Sequence, residues 1–184
     1  MRRKGTTIRG RAARQKGSRA EIKVRNMLRT IYPTELHNQV QRVPLSGAGA
    51  IKCDVMDNND PDSAYEVKCQ ETLSLNDWWK QSKRQAGMRT PILVVTQAYR
   101  PFYFMMRYKD WSDALEGPYR ASHGLTEAFP EVVFNSNIKI MDKLAELEPR
   151  TIARITLDDD EIAIISSSFY IEVKTCLFED KYVK

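Results

Sequence analysis

Two runs in the middle of the chain, PILVVTQ at 91–97 and FYFMMRY at 102–108, are apolar almost throughout, and a Tyr-Arg-Pro turn at 99–101 stands between them. Apolar stretches of this length bounded by turn residues read as strands buried in a sheet. Upstream, LNDWWKQSKRQAGM at 75–88 has helical spacing with Asn76 as a candidate N-cap, and AYEVKCQ at 64–70 reads as another strand. The turn-rich DNNDPDS at 57–63 precedes that strand, and a Ser-Gly-Ala-Gly loop at 46–49 separates two short extended runs before it. From Ser18, Ile22, Val24, Met27, Leu28 and Ile31 recur near helical spacing, with Ser18 as N-cap and Pro33 as the stop. The predicted order to residue 108 is helix, strand hairpin, helix, strand, strand. Beyond it the sequence predicts a short helix at 110–116, an irregular Gly/Pro-containing stretch and a helix near 139–148. Three strands follow, in ARITL, EIAIISS and FYIEVKT, separated by Asp158–Asp160 and a serine run.

Charge is distributed unevenly. Residues 1–29 hold 11 Lys/Arg against one acid, residues 30–109 hold 10 against 8, and residues 110–184 hold 8 against 15, within a net charge of +5. So dense a basic block at one end is the footprint of a polyanion ligand, of which nucleic acid is the commonest. Its plainer reading is a solubility tail. With 42% hydrophobic and 29% charged residues the chain has the profile of a globular protein. No run approaches the ~18 apolar residues of a membrane span, and the basic N-terminus lacks the apolar segment of a secretory signal. Cys53, Cys69, Cys176, His37 and His123 are too scattered for a zinc cluster. A reducing, cytoplasmic setting without membrane attachment is expected, the host cytoplasm if the source is viral.

Asp54 and Glu66 flank the turn, and a hairpin centred on residue 60 sets them opposite each other. Cross-strand neighbours have Cβ atoms about 4.5–5.5 Å apart, so two carboxylates there repel unless a cation lies between them. Mg²⁺, a hard oxygen-seeking ion, answers that need. Strand periodicity puts Glu66, Lys68 and Gln70 on one face, with Cys53, Val67 and Cys69 turned the other way into the core. Lys68 is thereby delivered beside the metal, where an ammonium orients water and offsets charge on a phosphoryl group.

The order Glu21 on an N-terminal helix, Asp54, then Glu66-Val67-Lys68 ending a hairpin, followed by a helix and further strands, resembles the PD-(D/E)xK nuclease superfamily. Lys16-Gly17-Ser18-x-Ala20-Glu21 opening the first helix, with a Ser/Gly loop before the aspartate, is most similar to archaeal-type Holliday junction resolvases, which also occur in viruses. The resemblance covers about residues 16–108. It implies an α/β restriction-endonuclease-like core, a central mixed sheet flanked by helices. On it the chain divides into a basic flexible arm (1–16), the nuclease core (17–109) and a C-terminal α+β extension (110–184).

It also implies that Glu21, Asp54 and Glu66 are acidic active-site residues. Asp54 and Glu66 would be direct metal ligands with Glu21 as a third acid, and Lys68 the catalytic lysine. Ser46 matches a serine placed near the scissile phosphate, and Gln70 and Gln81 would support the site. Mg²⁺ is the implied cofactor, with Mn²⁺ expected to substitute. The implied partners are branched or double-stranded DNA and a second copy of the chain, because two opposed strands of a junction must be cut. Arg2, Arg3, Lys4, Arg9, Arg11, Arg14, Lys16 and Arg19, with Lys83 and Arg84, are the expected DNA-binding cations. The sequence departs from the family in placing Cys53 where proline is expected before the aspartate. Its literal Pro61-Asp62 pair lies too close to Glu66 and reads as turn chemistry.

Plainer readings stand beside these. Glu21 completes a capping box with Ser18, Glu66 and Lys68 form a solvated strand face, and Ser46 is a turn former. Trp78 and Trp79, beside Lys80, Lys83 and Arg84, offer a stacking surface or belong to the core. A decoy repeats the spacing: Asp160 precedes Glu172-Val173-Lys174 by the same twelve residues, but the chain ends too soon after it to complete a core. The alternatives to a resolvase are another nuclease on the same core, restriction-like, nicking or exonucleolytic, and a non-catalytic DNA-binding protein.

Overall fold

A computed structural model of the chain describes residues 8–43, 52–97, 99–123, 128–135 and 139–182. The first helix, α1 (Ile8–Arg29), passes through a 3-10 turn (Thr34–Gln39) into β1 (Val40–Arg42). β2 (Val55–Asp57) and β3 (Ser63–Cys69) form a hairpin, and α2 (Leu75–Ala86) crosses over to β4 (Thr90–Thr96), which turns back into β5 (Tyr103–Arg107). Then come α3 (Tyr108–Ala114), a π-helical turn (Leu115–Tyr119), α4 (Arg120–His123), β6 (Glu131–Phe134), α5 (Ile140–Ala145), β7 (Ile152–Leu157), β8 (Asp160–Ser166) and α6 (Ser167–Tyr182). The eight strands among the described residues lie in one sheet, in the order β1-β2-β3-β4-β5-β8-β7-β6. β3 pairs with β4 in parallel, as does β6 with β7, and the other pairs are antiparallel.

Helices cover both faces, which is why β4 and β5 are apolar without alternation. On one face Val67, Val94, Phe104, Met106 and Ile165 pack against Val24 and Leu28 of α1 and Phe169, Tyr170 and Val173 of α6. On the other, Leu93, Val95, Met105 and Ile164 pack against Trp78 and Trp79 of α2 and Ile140 and Leu144 of α5. Both tryptophans of α2 are buried, so neither offers a stacking surface. None of the described helices is long and apolar enough to cross a membrane.

Four findings bear on these expectations. First, α1 begins at Ile8, so Ser18 sits inside a helix and caps nothing. RGRAARQK is built largely of strong helix formers, and helix propensity extends the element into the segment read as an arm. Second, the C-terminal extension joins the core sheet: β8 pairs with β5 over Tyr103–Arg107. Third, FYIEVKT is helical. Phe169, Tyr170, Val173 and Cys176 are the buried positions of α6, at the spacing of a helix face. The serine run starts that helix, with Ser166 Oγ accepting from Phe169 N at 3.2 Å as an N-cap does. Fourth, Asn76 does not cap α2; its Oδ1 accepts from Asp158 N at 2.8 Å, at the β7–β8 turn. That turn opposes Leu157 to Asp160 around Asp158 and Asp159, both with positive φ, the geometry of a two-residue hairpin loop.

Candidate active site

The carboxyl end of β3, which pairs in parallel with β4, opens onto a cleft of about 710 Å³, lined by Glu21, Asp54, Glu66, Lys68 and Gln81 among others. Crevices outside the carboxyl ends of parallel strands are the usual ligand sites of α/β sheets. Here the hairpin supplies the acids. Val55 stands opposite Tyr65, the register of a hairpin centred on residue 60, and Asp54 N donates to Tyr65 O at 2.9 Å. One step further the Asp54 side chain replaces the backbone partner, its Oδ2 accepting from Val67 N at 2.9 Å. That bond fixes Asp54 beside Glu66.

Glu66 is buried, at 4% exposure. Its Oε1 accepts from Lys68 Nζ at 2.7 Å and from Gln81 Nε2 at 2.8 Å, while its Oε2 is buried with no hydrogen-bond partner among the described residues. Lys68 reaches Glu66 because the two share a strand face, and α2, packed over that face, brings Gln81 to the same oxygen. Burial first, and then the charge of Asp54, raises the proton affinity of Glu66; Lys68 opposes this, Glu21 adds to it, and the net shift is upward. Native buried polar atoms rarely lack a partner. A buried carboxylate oxygen without one, beside a second carboxylate, is relieved by a bound cation.

The donor set fits a divalent ion. Among the described residues no three His, Cys, Asp or Glu side chains converge into a cage. Mg²⁺ does not require one, since it is commonly held by one or two carboxylates, with water and substrate phosphate completing its shell. Asp54 and Glu66 are the residues that could hold a divalent ion here. Glu21 lines the cleft, with Oε2 in a short ion pair with Nε of Arg42. Gln70 lines the exposed rim.

Other expected residues are placed differently. Ser46, Arg2, Arg3 and Lys4 lie outside the described residues, as do the side chains of Arg9 and Arg11. Arg14 and Arg19 are exposed on α1 and Arg84 on α2, while Lys16 pairs with Glu71 at the cleft. Lys83 is held by Asp158 at 2.9 Å and Asp160 at 2.6 Å, so its charge is matched within the fold rather than offered to phosphate. Cys53 is buried, but with Ala64 and Ala86 on the α2 side, not with Val67 and Cys69; the chain bends at Asp54, which breaks the alternation between them.

The decoy is dispersed. Asp160 accepts from Trp79 Nε1 and Lys83, Glu172 accepts from Tyr119 and Arg150, and Lys174 donates to Asp60. Equal spacing fails there because Glu172 and Lys174 lie on a helix. Sequence reasoning missed Arg42, Glu71 and Gln85, which touch Glu21, Lys16 and Gln81 respectively. The Gln81/Gln85 spacing of four on a predicted helix was the only available signal; the other two contacts join distant segments.

Residues 12–154 match the model of a family described as phage putative PDDEXK endonuclease. The matched span includes Glu21, Asp54, Glu66, Lys68 and Gln81, and crosses the boundary expected at residue 109. No curated protein and no solved structure matches the chain significantly. The mixed sheet flanked by helices is the restriction-endonuclease-like architecture that such a family implies. The match extends over well more than half of the chain, which therefore belongs to this family of PD-(D/E)xK phage endonucleases.

Proposed function

We propose that the protein is a Mg²⁺-dependent DNA endonuclease with Asp54, Glu66 and Lys68 at its reaction centre, acting on branched DNA and foremost on four-way junctions. The observation supporting the centre is the buried, unpartnered Oε2 of Glu66, beside Asp54 and on a carboxylate already held by Lys68 and Gln81. A divalent ion bound there would supply Lewis-acid charge to the phosphodiester. Asp54 and Glu66 would hold it, and the Val67 N–H and Gln81 amide keep the two carboxylates oriented. Lys68, anchored on Glu66, hydrogen-bonds the attacking water and offsets charge growing on the phosphoryl oxygens. Glu21 is the third acid, held in place by Arg42.

The junction reading is supported by the similarity of Lys16-Gly17-Ser18-x-Ala20-Glu21 to resolvases, and it requires a homodimer to present two centres to opposed strands. Cleavage of a four-way junction is compared with that of linear duplex, flap and single strand. Paired, symmetric nicks confined to the junction are expected; degradation from free ends would assign the same centre to an exonuclease.

Glu66 must be ionised to hold the cation, and its proton affinity is raised. Proton and cation therefore compete for Glu66, and the acid limb of the pH–rate profile is expected to move to lower pH as Mg²⁺ is raised. A limb that stays fixed while Mg²⁺ is varied would remove Glu66 from its role.

A further inference from the structure

Beyond Lys16 lies a second cleft, of about 670 Å³, and Lys16, Cys69 and Glu71 line both. One wall is α1, where Lys16, Arg19 and Lys23 follow at intervals of three and four and so share a helix face. The other is the β4–β5 turn with Tyr99 and Arg100. Because Cys69 stands opposite Thr96 in the parallel ladder, this turn emerges at the same sheet end as Glu66 and Lys68.

The cations differ in availability. Lys16 pairs with Glu71 and Arg100 with Asp142. Arg19 and Lys23 are exposed and, among the described residues, have no ion-pair partner. Tyr99 is fully exposed, at 104%, and its φ of 61° lies in the left-handed region. A bulky non-glycine residue there is a genuine outlier and carries a backbone cost. No burial of the ring offsets that cost. Strain retained without a folding gain points to use of the side chain in binding.

We infer that the second cleft binds nucleotides left unpaired at a branch point on the DNA strand that enters the active site, with Arg19 and Lys23 on their phosphates and the Tyr99 ring stacked on a base. Stacking needs an open base face, which a paired duplex interior does not present; phosphate contacts alone would accept any DNA. The inference rests on the DNA-endonuclease reading above.

The test is binding of the full chain, in EDTA to prevent cutting, to a labelled blunt duplex and to the same duplex with a single-stranded tail. Wild type is expected to prefer the tailed probe, and Tyr99→Gly to reduce that preference by about 5- to 100-fold. Glycine suits a positive φ, so this variant should keep its melting temperature, while Tyr99→Phe should keep the preference. Arg19→Glu with Lys23→Glu should weaken both probes and flatten the salt dependence. Equal preference in wild type and Tyr99→Gly, or none in wild type, would overturn the inference. If wild type nicks plasmid in Mg²⁺ under that result, the inference alone fails; if it neither binds nor nicks DNA, the endonuclease reading fails with it.

Discussion

Lys68→Ala is expected to cut DNA about 10²- to 10⁴-fold more slowly than wild type, with DNA affinity largely retained. Lys68 is one of the two groups that hold Glu66 Oε1, and its ammonium is delivered to the cleft by the strand face it shares with that carboxylate. Alanine removes the positive charge proposed to face the phosphoryl group and one of the anchors of Glu66, while Gln81 remains. Single-turnover cleavage at saturating enzyme measures the chemical step and separates it from binding. Lys68→Arg should recover little, since the larger, planar guanidinium cannot take the place of the compact ammonium between Glu66 Oε1 and the water. Near-wild-type cutting by Lys68→Ala would remove the lysine from the reaction centre.

Lys174→Met is expected to leave the cutting centre intact and to destabilise the fold by about 2–4 kcal/mol, somewhat below the cost of breaking a fully buried pair. Lys174 Nζ donates to Asp60 Oδ2 at 2.6 Å, and the two side chains are only about one-fifth exposed, at 20% and 22%. Ser63 Oγ donates to the same oxygen at 2.7 Å, and nearby Tyr32 OH donates to Asp57 Oδ2 at 2.7 Å. The pair thus ties α6 to the turn of the hairpin that presents Asp54 and Glu66. Burial alone would raise the proton affinity of Asp60, but the charge and hydrogen bond of Lys174, with Ser63, outweigh it, and the net shift is downward.

The sign follows: the stability contributed by Asp60 is present above the ordinary aspartate range and is lost as pH falls through its depressed value. Lys174 is shifted upward by Tyr170 and Asp60 against the opposing effect of burial, so its contribution is lost only as pH rises through that raised value. Denaturant unfolding should therefore show the full deficit of Lys174→Met at neutral pH and a smaller one in acid. Asp60→Asn in the same chain should recover part of the loss. A deficit that does not change with pH would contradict the ion pair.

Local patterns carried much of this molecule in its sequence. The unbroken apolar runs of β4 and β5 required cover on both faces, and α1/α6 and α2/α5 provide it. The register of Val55 with Tyr65 followed from a turn centred on residue 60, and with it the adjacency of Asp54 and Glu66. What escaped was set by contacts between distant segments. FYIEVKT has strand composition, yet the apolar spacing carried on to Cys176 and the Ser166 cap make it a helix. The acidic run at 158–160 resembled a bare turn, whereas it matches Lys80, Lys83 and Arg107 beneath α2. Arg42 on Glu21 and Glu71 on Lys16 join elements whose pairing no local spacing encodes.

Nicking of supercoiled plasmid by wild type and Glu66→Gln, each in Mg²⁺ and in EDTA, tests the central claim most directly. Glutamine preserves the shape of Glu66 but removes the charge that would hold a cation. The account predicts nicking by wild type in Mg²⁺ alone and none above background in the other three reactions. Cutting by Glu66→Gln at the wild-type rate, or cutting that persists in EDTA, would contradict it.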